Sequence, residues 1–275
     1  MYNFCENGGA ACADGQYPVA GLVQAAGGDF YGTTYFGGNQ SNGTIFKITT
    51  GGTLTTLHTF CTQVGCPDGY NPVVGLTLAE SGDLYGVTAS GGAACYNLNG
   101  CGTIFKVTPS GVFTTLYTFC KAGGACLDGA TPIAELVEGS DGNLYGTTAA
   151  GGPLGSGTIY RITPKGALTT LYSAGATTLA QDTDGDFYET TSMGGVNCAP
   201  AGCGSLFRLS IGLGPFVKTL PRGAKVGAAV KILGTALTGA TSSVLMAHRL
   251  PSRWFRPPKS GPPCPPERPL ARSRW

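Results

Sequence analysis

Three aspartates at alternating positions, Asp182, Asp184 and Asp186, flank Gly185 and form the sharpest cluster of acidic side chains in the sequence. Alternating carboxylates around a glycine suit the oxygen ligands that Ca²⁺ prefers in proteins. The equivalent slots elsewhere in the chain carry ordinary glycine hairpin turns, which need no ion. A calcium site and a plain turn therefore both stay open here, and the sequence indicates no other cofactor.

Cysteines are the second group that could do chemistry. The chain has 11 Cys, and all except Cys264 fall in close pairs. A zinc or thioredoxin-type site is not indicated, because no C-x-x-C spacing occurs and only two His are present. We therefore expect five local disulfides, which are typical of an oxidising compartment. The pairs are Cys5/Cys12, Cys61/Cys66, Cys95/Cys101, Cys120/Cys126 and Cys198/Cys203.

The two histidines do not indicate a catalytic triad or a general base. His58 lies in a strand pattern where other repeats have Tyr117 and Tyr172, which favours a packing ring. His248 lies in the C-terminal tail. No H-E-x-x-H, G-x-S-x-G or phosphate-binding glycine loop occurs.

Acidic residues could still support glycan cleavage, which needs two carboxylates at a set separation in space. Glu80, Glu135 and Glu138 lie in or beside strand patterns without a partner motif. The sequence does not show how far apart they are. We therefore expect a protein without enzymatic activity and keep a propeller enzyme acting on extracellular or cell-wall glycans as the alternative.

The elements that must position these residues are tandem repeats. A Gly-Asp/Asn-Leu/Phe-Tyr string recurs at Tyr31, Tyr85, Tyr145 and, in altered form, Tyr188, and a string related to Gly-Thr-Ile-Phe-Lys follows each. Each unit indicates four short strands between glycine turns, and 46 of 275 residues are Gly. This pattern predicts an all-β fold of about four propeller-like blades, in a ring or an open arc. A β-sandwich is the alternative.

The matching strings resemble the GloVer repeats of bacterial secreted and surface proteins with varied C-terminal anchors. They are Leu84–Thr88 with Gly91 and Gly92, Gly102–Thr108, and Leu116–Phe119. The resemblance covers roughly residues 1–209. It implies a secreted, propeller-like module without an assigned reaction.

The repeat strings also predict the domain boundaries. Repeats occupy residues 1–214, and the fourth unit has Glu189 where the others have Gly. Residues 215–244 look like the opening strands of an IPT/TIG domain, an immunoglobulin-like sandwich that needs about seven strands and is incomplete here. The tail, 245–275, is rich in Pro and Arg. We place the units at about 17–60, 70–119, 130–173 and 174–214.

Charge changes sign at the same boundary. Up to Leu245 there are 10 Lys and Arg against 14 Asp and Glu, net −4, and after it 7 against 1, net +6. Two interpretations stay open for this tail. It is either the product of a frameshift near Ser242 or Ser243, or a basic, disordered segment that binds anionic surfaces.

The location expected from the cysteines and the resemblance is extracellular or at the cell surface. Met1–Cys5 lacks the pattern of a signal peptide but aligns with Leu116–Cys120, so we expect a fragment of a longer protein. The leading hypothesis is a binding or adhesion module at a bacterial surface, acting through its cross-linked loops. Expected partners are an extracellular glycan or protein, with self-association through open edges but no nucleic acid and no membrane span. A fragment without a function of its own is a third possibility.

Overall fold

The repeat strings fold as antiparallel sheets that follow one another along the chain. The computed structural model describes residues 2–6, 12–92, 101–121, 126–173, 176–191, 204–220 and 231–234. These residues all belong to one compact unit, Met1–Ala236. In the part of the chain described, all the regular elements are strands. The prediction of an all-β, propeller-like fold is confirmed, and we call the sheets blades.

The first two blades are four-stranded meanders in which each strand pairs with the next. Blade 1 lies within residues 17–60 and blade 2 within residues 70–119. Blade 1 consists of β1 (Val23–Gln24), β2 (Phe30–Thr34), β3 (Thr44–Ile48) and β4 (Leu54–Thr59). Blade 2 consists of β5 (Thr77–Leu78), β6 (Leu84–Thr88), β7 (Thr103–Val107) and β8 (Phe113–Thr118).

The next two blades depart from this plan. In blade 3 an extra strand pairs with the second strand of the meander, and blade 4 is described with three strands. Blade 3 consists of β9 (Ala130–Pro132), β10 (Val137–Glu138), β11 (Leu144–Ala150), β12 (Ile159–Ile162) and β13 (Leu168–Tyr172). Blade 4 consists of β14 (Ala176–Gln181), β15 (Phe187–Thr191) and β16 (Ser205–Leu209).

A hydrophobic core lies between each blade and the next, because both faces of a blade carry apolar side chains. Between blades 1 and 2, Tyr31 and Ile45 pack with Leu76 and Phe105. The cores between blades 2 and 3 and between blades 3 and 4 use residues at equivalent positions. Packing in chain order differs from the two facing sheets of a sandwich, so the sandwich alternative is not supported.

A buried hydroxyl pair joins the second and third strands at the same end of blades 1 to 3. The Oγ1 atoms lie 2.8 Å apart in Thr34 and Thr44, 2.8 Å apart in Thr88 and Thr103, and 3.0 Å apart in Thr148 and Thr158. In blades 2 and 3 the third-strand hydroxyl also donates to the backbone oxygen of Asp68 or Asp128 in the preceding crossover. The pairs therefore fix the crossovers against the blades that they enter.

Beyond the blades, β17 (Val217–Leu220) pairs with β18 (Lys231–Gly234). This pair lies within the predicted opening of an IPT/TIG sandwich, but two strands do not identify that domain. The predicted tail, 245–275, lies outside the described residues, as do Cys95, Cys198, Cys203 and His248. The described part of the chain contains no helix with the length and apolar character needed to cross a membrane.

Candidate functional site

Each of three crossovers, the loops that lead into blades 1, 2 and 3, contains an aspartate that binds the residues where the loop begins. The carboxylate of Asp68 accepts hydrogen bonds from the backbone N–H of Cys61, at 3.1 Å to each oxygen. Its Oδ2 also accepts from the Nε2–H of His58, at 2.9 Å. Asp14 and Asp128 make the same contacts with a tyrosine hydroxyl in place of the imidazole, Tyr2 and Tyr117, each at 2.8 Å. His58 is therefore a repeat position occupied by a different ring.

Disulfides close the loops that these aspartates hold. The structure joins Cys5 to Cys12, Cys61 to Cys66 and Cys120 to Cys126. All six cysteines have positive φ, between 39° and 63°, a conformation that is uncommon for residues with a side chain. Cys101 is also disulfide-bonded, whereas its predicted partner and the predicted Cys198/Cys203 pair lie outside the described residues.

A shallow groove of about 480 Å³ lies between two of these loops, one after blade 1 and one after blade 2. We call it the stapled groove and define it by Gln63, Thr115, Lys121, Phe113 and His58. Gln63 belongs to the loop closed by Cys61–Cys66, and Lys121 follows Cys120 directly. The groove is therefore made by residues from two blades.

Two aromatic side chains, His58 and Phe113, form part of the wall of the stapled groove. The rings of His58 and Phe113 stack with centroids 3.7 Å apart and planes 4° apart. Because Asp68 holds the imidazole edge, the ring has a fixed orientation across the boundary between blades 1 and 2. At the next boundary, burial and then the hydrogen bond to Asp128 raise the pKa of Tyr117, so this ring stays a neutral donor.

A second groove, of about 370 Å³, is lined by the first strands of blades 1, 2 and 3. Glu135 lies here at the position that Gly21 and Gly75 occupy in the other blades. Its carboxylate lies against Gly75, and loss of hydration raises its pKa. We call this the inner groove.

The other two glutamates of interest are linked to each other. Both carboxylate oxygens of Glu138 accept from the backbone N–H of Glu80, at 3.1 and 2.9 Å. Gln181 makes the equivalent contact with the backbone N–H of Ser140, at 3.0 Å. The side chain of Glu138 therefore joins blade 3 to blade 2 and does not stand as an uncommitted partner for Glu135.

The structure does not gather Asp182, Asp184 and Asp186 around one point. Asp186 pairs with Arg208 at 3.2 Å, and Asp184 accepts from the Tyr188 hydroxyl at 2.9 Å. Backbone hydrogen bonding from Asp186 contributes most to lowering the pKa of Asp184. The backbone N–H of Gly185 donates to the backbone oxygen of Asp182, as in a hairpin turn. Calcium binding at these aspartates stays a prediction.

One group of potential metal ligands is found among the described residues: the Sγ atoms of Cys101, Cys120 and Cys126 lie within 4.8 Å of one another. All three cysteines are disulfide-bonded. Because metals bind the thiolate, this group is a contact between neighbouring cross-links and not a metal site.

Sequence reasoning missed the role of the crossover aspartates. A signal was present, because a tyrosine or histidine precedes each of Asp14, Asp68 and Asp128 by 12, 10 and 11 residues. The ring, the cysteine and the Asp-Gly pair recur together in these three places.

Comparison with known proteins gives one clear family. The model of the Gloeobacter/Verrucomicrobia repeat matches residues 3–197, which is more than half of the chain. No curated protein matches the sequence.

Solved structures give distant similarities. A luciferin-regenerating enzyme is 12% identical with a TM-score of 0.42, covering 71% of this chain and 62% of its own. A gluconolactonase from Xanthomonas campestris is 14% identical with a TM-score of 0.43, covering 63% of this chain and 56% of its own. A Dyadobacter fermentans protein is 12% identical with a TM-score of 0.42, covering 70% and 65%. The chain thus spans less than two thirds of each, and similarities this low assign no activity.

Proposed function

This chain belongs to the Gloeobacter/Verrucomicrobia repeat family, and from that premise we propose that it is a binding module of an extracytoplasmic or cell-surface protein. Three disulfides are compatible with an oxidising, extracellular location. The ligand that we propose is a glycan chain, held in the stapled groove.

The observation that carries this proposal is the composition of the stapled groove. The stacked rings of His58 and Phe113 contribute apolar surface to the lining, while Gln63, Thr115 and Lys121 add an amide, a hydroxyl and a cation. Sugars present both C–H faces and hydroxyl groups, so such a mixed lining suits them. Loops closed by disulfides lose little conformational entropy on binding, which favours affinity.

The test is a glycan-binding screen with the purified, oxidised chain, followed by titration calorimetry of any hit. Gln63→Ala and Lys121→Ala together should weaken binding at least about tenfold, because polar contacts to the ligand are lost. Lys165→Ala removes an exposed lysine from the turn after β12 and serves as the matched control. Equal affinities for all three proteins would contradict the proposed site.

A second candidate function is glycan hydrolysis, and the observation in its favour is Glu135 in the inner groove. Loss of hydration raises the pKa of this carboxyl, as is needed in a general acid. Incubating the same glycans with the chain and analysing the products by mass spectrometry tests it. Turnover that Glu135→Gln abolishes would favour an enzyme, whereas absence of products would leave binding as the function.

The remaining sequence-based assignments form part of the proposal. They are the unit boundaries, the incomplete IPT/TIG-like segment at 215–244 and the calcium site at Asp182, Asp184 and Asp186. Calcium titration of the chain and of Asp184→Asn would test the last of these. A heat of binding that is the same in both proteins would place the ion elsewhere.

A further inference from the structure

Two disulfides lie side by side where the third strand of blade 2 meets the crossover into blade 3. The Sγ atoms of Cys101, Cys120 and Cys126 lie within 4.8 Å of one another. Cys120 and Cys126 are bonded to each other. Cys101 is also disulfide-bonded, so its partner is another cysteine, and the sequence predicts that this partner is Cys95. Sulfur atoms of two different cross-links therefore meet at one point.

The strand register places Cys101 directly opposite Cys120. The strands β7 and β8 are antiparallel neighbours, and just beyond them the backbone N–H of Phe119 donates to the backbone oxygen of Gly102 at 3.1 Å. One residue further along, Cys101 stands opposite Cys120. Opposite residues in an antiparallel pair have Cα atoms about 4.5–5.5 Å apart, which is within the span of a disulfide. A bond between Cys101 and Cys120 is therefore compatible with the paired strands.

The crossover into blade 2 is a matched case without the neighbouring cross-link. Its disulfide, Cys61–Cys66, takes the equivalent place. The backbone N–H of Phe60 donates to the backbone oxygen of Gly43 at 3.1 Å, so the residue opposite Cys61 is Asn42. The loop that ends at Asn42 contains no cysteine. The two crossovers therefore differ in whether a second sulfur is present beside the disulfide.

We propose that Cys126 is a site of modification by small thiols, with Cys101 trapping the sulfur that is released. A small thiolate attacks the half-buried Cys126 rather than Cys120, which is 4% exposed. A mixed disulfide forms at Cys126, and Cys120 leaves as a thiolate. Cys120 then attacks Cys101 and breaks its bond to Cys95, which takes the proton that the small thiol gave up. Two S–S bonds form and two break, so the exchange needs no further oxidant or reductant.

The neighbouring sulfur decides whether the small thiol stays attached. Among the described residues, no third cysteine sulfur lies within 4.8 Å of both Cys61 and Cys66. After attack on Cys66, the Cys61 thiolate therefore returns to the mixed disulfide and expels the small thiol. In the crossover into blade 3, the new bond to Cys101 removes the thiolate that would reverse the reaction. The adduct at Cys126 persists for this reason.

The test is incubation of the purified, oxidised chain with glutathione, followed by alkylation of the remaining thiols, trypsin digestion and mass spectrometry. Trypsin separates the relevant cysteines into peptides 48–106 (Cys61, Cys66, Cys95 and Cys101), 107–121 (Cys120) and 122–161 (Cys126). We expect peptide 107–121 to move from a link with 122–161 to a link with 48–106. Glutathione should be retained on 122–161 at least about tenfold more than on 48–106, because only Cys126 is protected from the reverse attack.

A double variant, Cys95→Ser with Cys101→Asn, removes the trapping cross-link and copies the asparagine of blade 1. Peptide 107–121 should then stay linked to 122–161, and the retained glutathione should fall about tenfold, to the level of the crossover into blade 2. Circular dichroism checks that the variant is folded. The comparison of the two crossovers within the parent chain needs no variant, so it decides the matter even where the variant does not fold.

Four results would overturn the proposal. They are a parent chain without an adduct, a parent chain with equal adducts on both crossovers, a peptide 107–121 that keeps its original link, and an adduct that persists in the folded double variant. New links to the N-terminal peptide that carries Cys5 and Cys12 would also overturn it, because they would show random exchange in an unfolded chain.

Discussion

At the scale of single residues, Glu189 is the clearest departure from the repeat. Blades 1 to 3 have Gly32, Gly86 and Gly146 at this position, and a Cβ at Gly86 would collide with the ring of Phe105. Glu189 is 1% exposed, and among the described residues neither carboxylate oxygen has a hydrogen-bond partner. Burial raises the pKa of its carboxyl to about 8.

This carboxyl should make stability depend on pH. Between the ordinary value of 4.5 and about 8, the folded chain keeps a proton that the unfolded chain has released. The free energy of unfolding therefore falls as the pH rises through this window, by at most ~1.4 kcal/mol for each pH unit. Above the upper limit this contribution is lost and the dependence levels off.

Urea unfolding of the parent chain and of Glu189→Gln across this window checks the prediction. Glutamine has a similar shape and does not titrate, so the difference between the two proteins isolates the carboxyl from other groups. We expect the difference in unfolding free energy to change steadily with pH. A difference that is constant with pH would show that the carboxyl is not buried and protonated.

At the scale of elements, the strands follow from the sequence, whereas the crossovers do not. The repeat strings predict β2, β6 and β11 because β-branched and aromatic residues there lie between glycine turns. Cys61 and Cys66 have positive φ, and no sequence pattern predicts this conformation. It depends on the disulfide and on the hydrogen bond from Cys61 to Asp68 together. The stapled groove was also beyond sequence reasoning, because blade packing alone brings His58 to Phe113.

Two glycines in the crossover after β4 provide a prediction with an internal control. Gly65 and Gly69 both have positive φ, 82° and 85°, so an alanine at either position costs about 1 kcal/mol in backbone strain. A Cβ at Gly69 would collide with Thr88, whereas a Cβ at Gly65 meets nothing within 4 Å. Gly69→Ala should therefore destabilise the chain by several kcal/mol more.

Thermal and urea unfolding of the two variants measure this difference. Gly65→Ala should fold and lose only the strain energy, so it remains informative even where Gly69→Ala does not accumulate as soluble protein. Equal losses of stability in the two variants would show that the contact between Gly69 and the threonine pair is not tight.

At the scale of the whole molecule, two of the crossover aspartates, Asp68 and Asp128, join two blades each. The side chain of Asp68 binds the last strand of blade 1, and its backbone oxygen accepts from Thr103 of blade 2, at 3.1 Å. A further link between blades 1 and 2 comes from Thr33 of β2, which donates to the backbone oxygen of Val74, before β5, at 3.2 Å. Blades joined in this way resemble a repeat array in which stability depends on contacts between neighbours.

The three cross-links have a mechanical consequence. They span 7, 5 and 6 residues, so a chain stretched from its two ends cannot extend those segments. About 50 Å of extension is thereby withheld at full unfolding, at roughly 3.4 Å for each residue and after subtracting the 4.2 to 4.6 Å that each cross-link spans between its Cα atoms. The withheld length lies in the crossovers that carry tension from one blade to the next. Under load, an oxidised chain therefore yields by separating its blades while the loops that line the stapled groove stay closed.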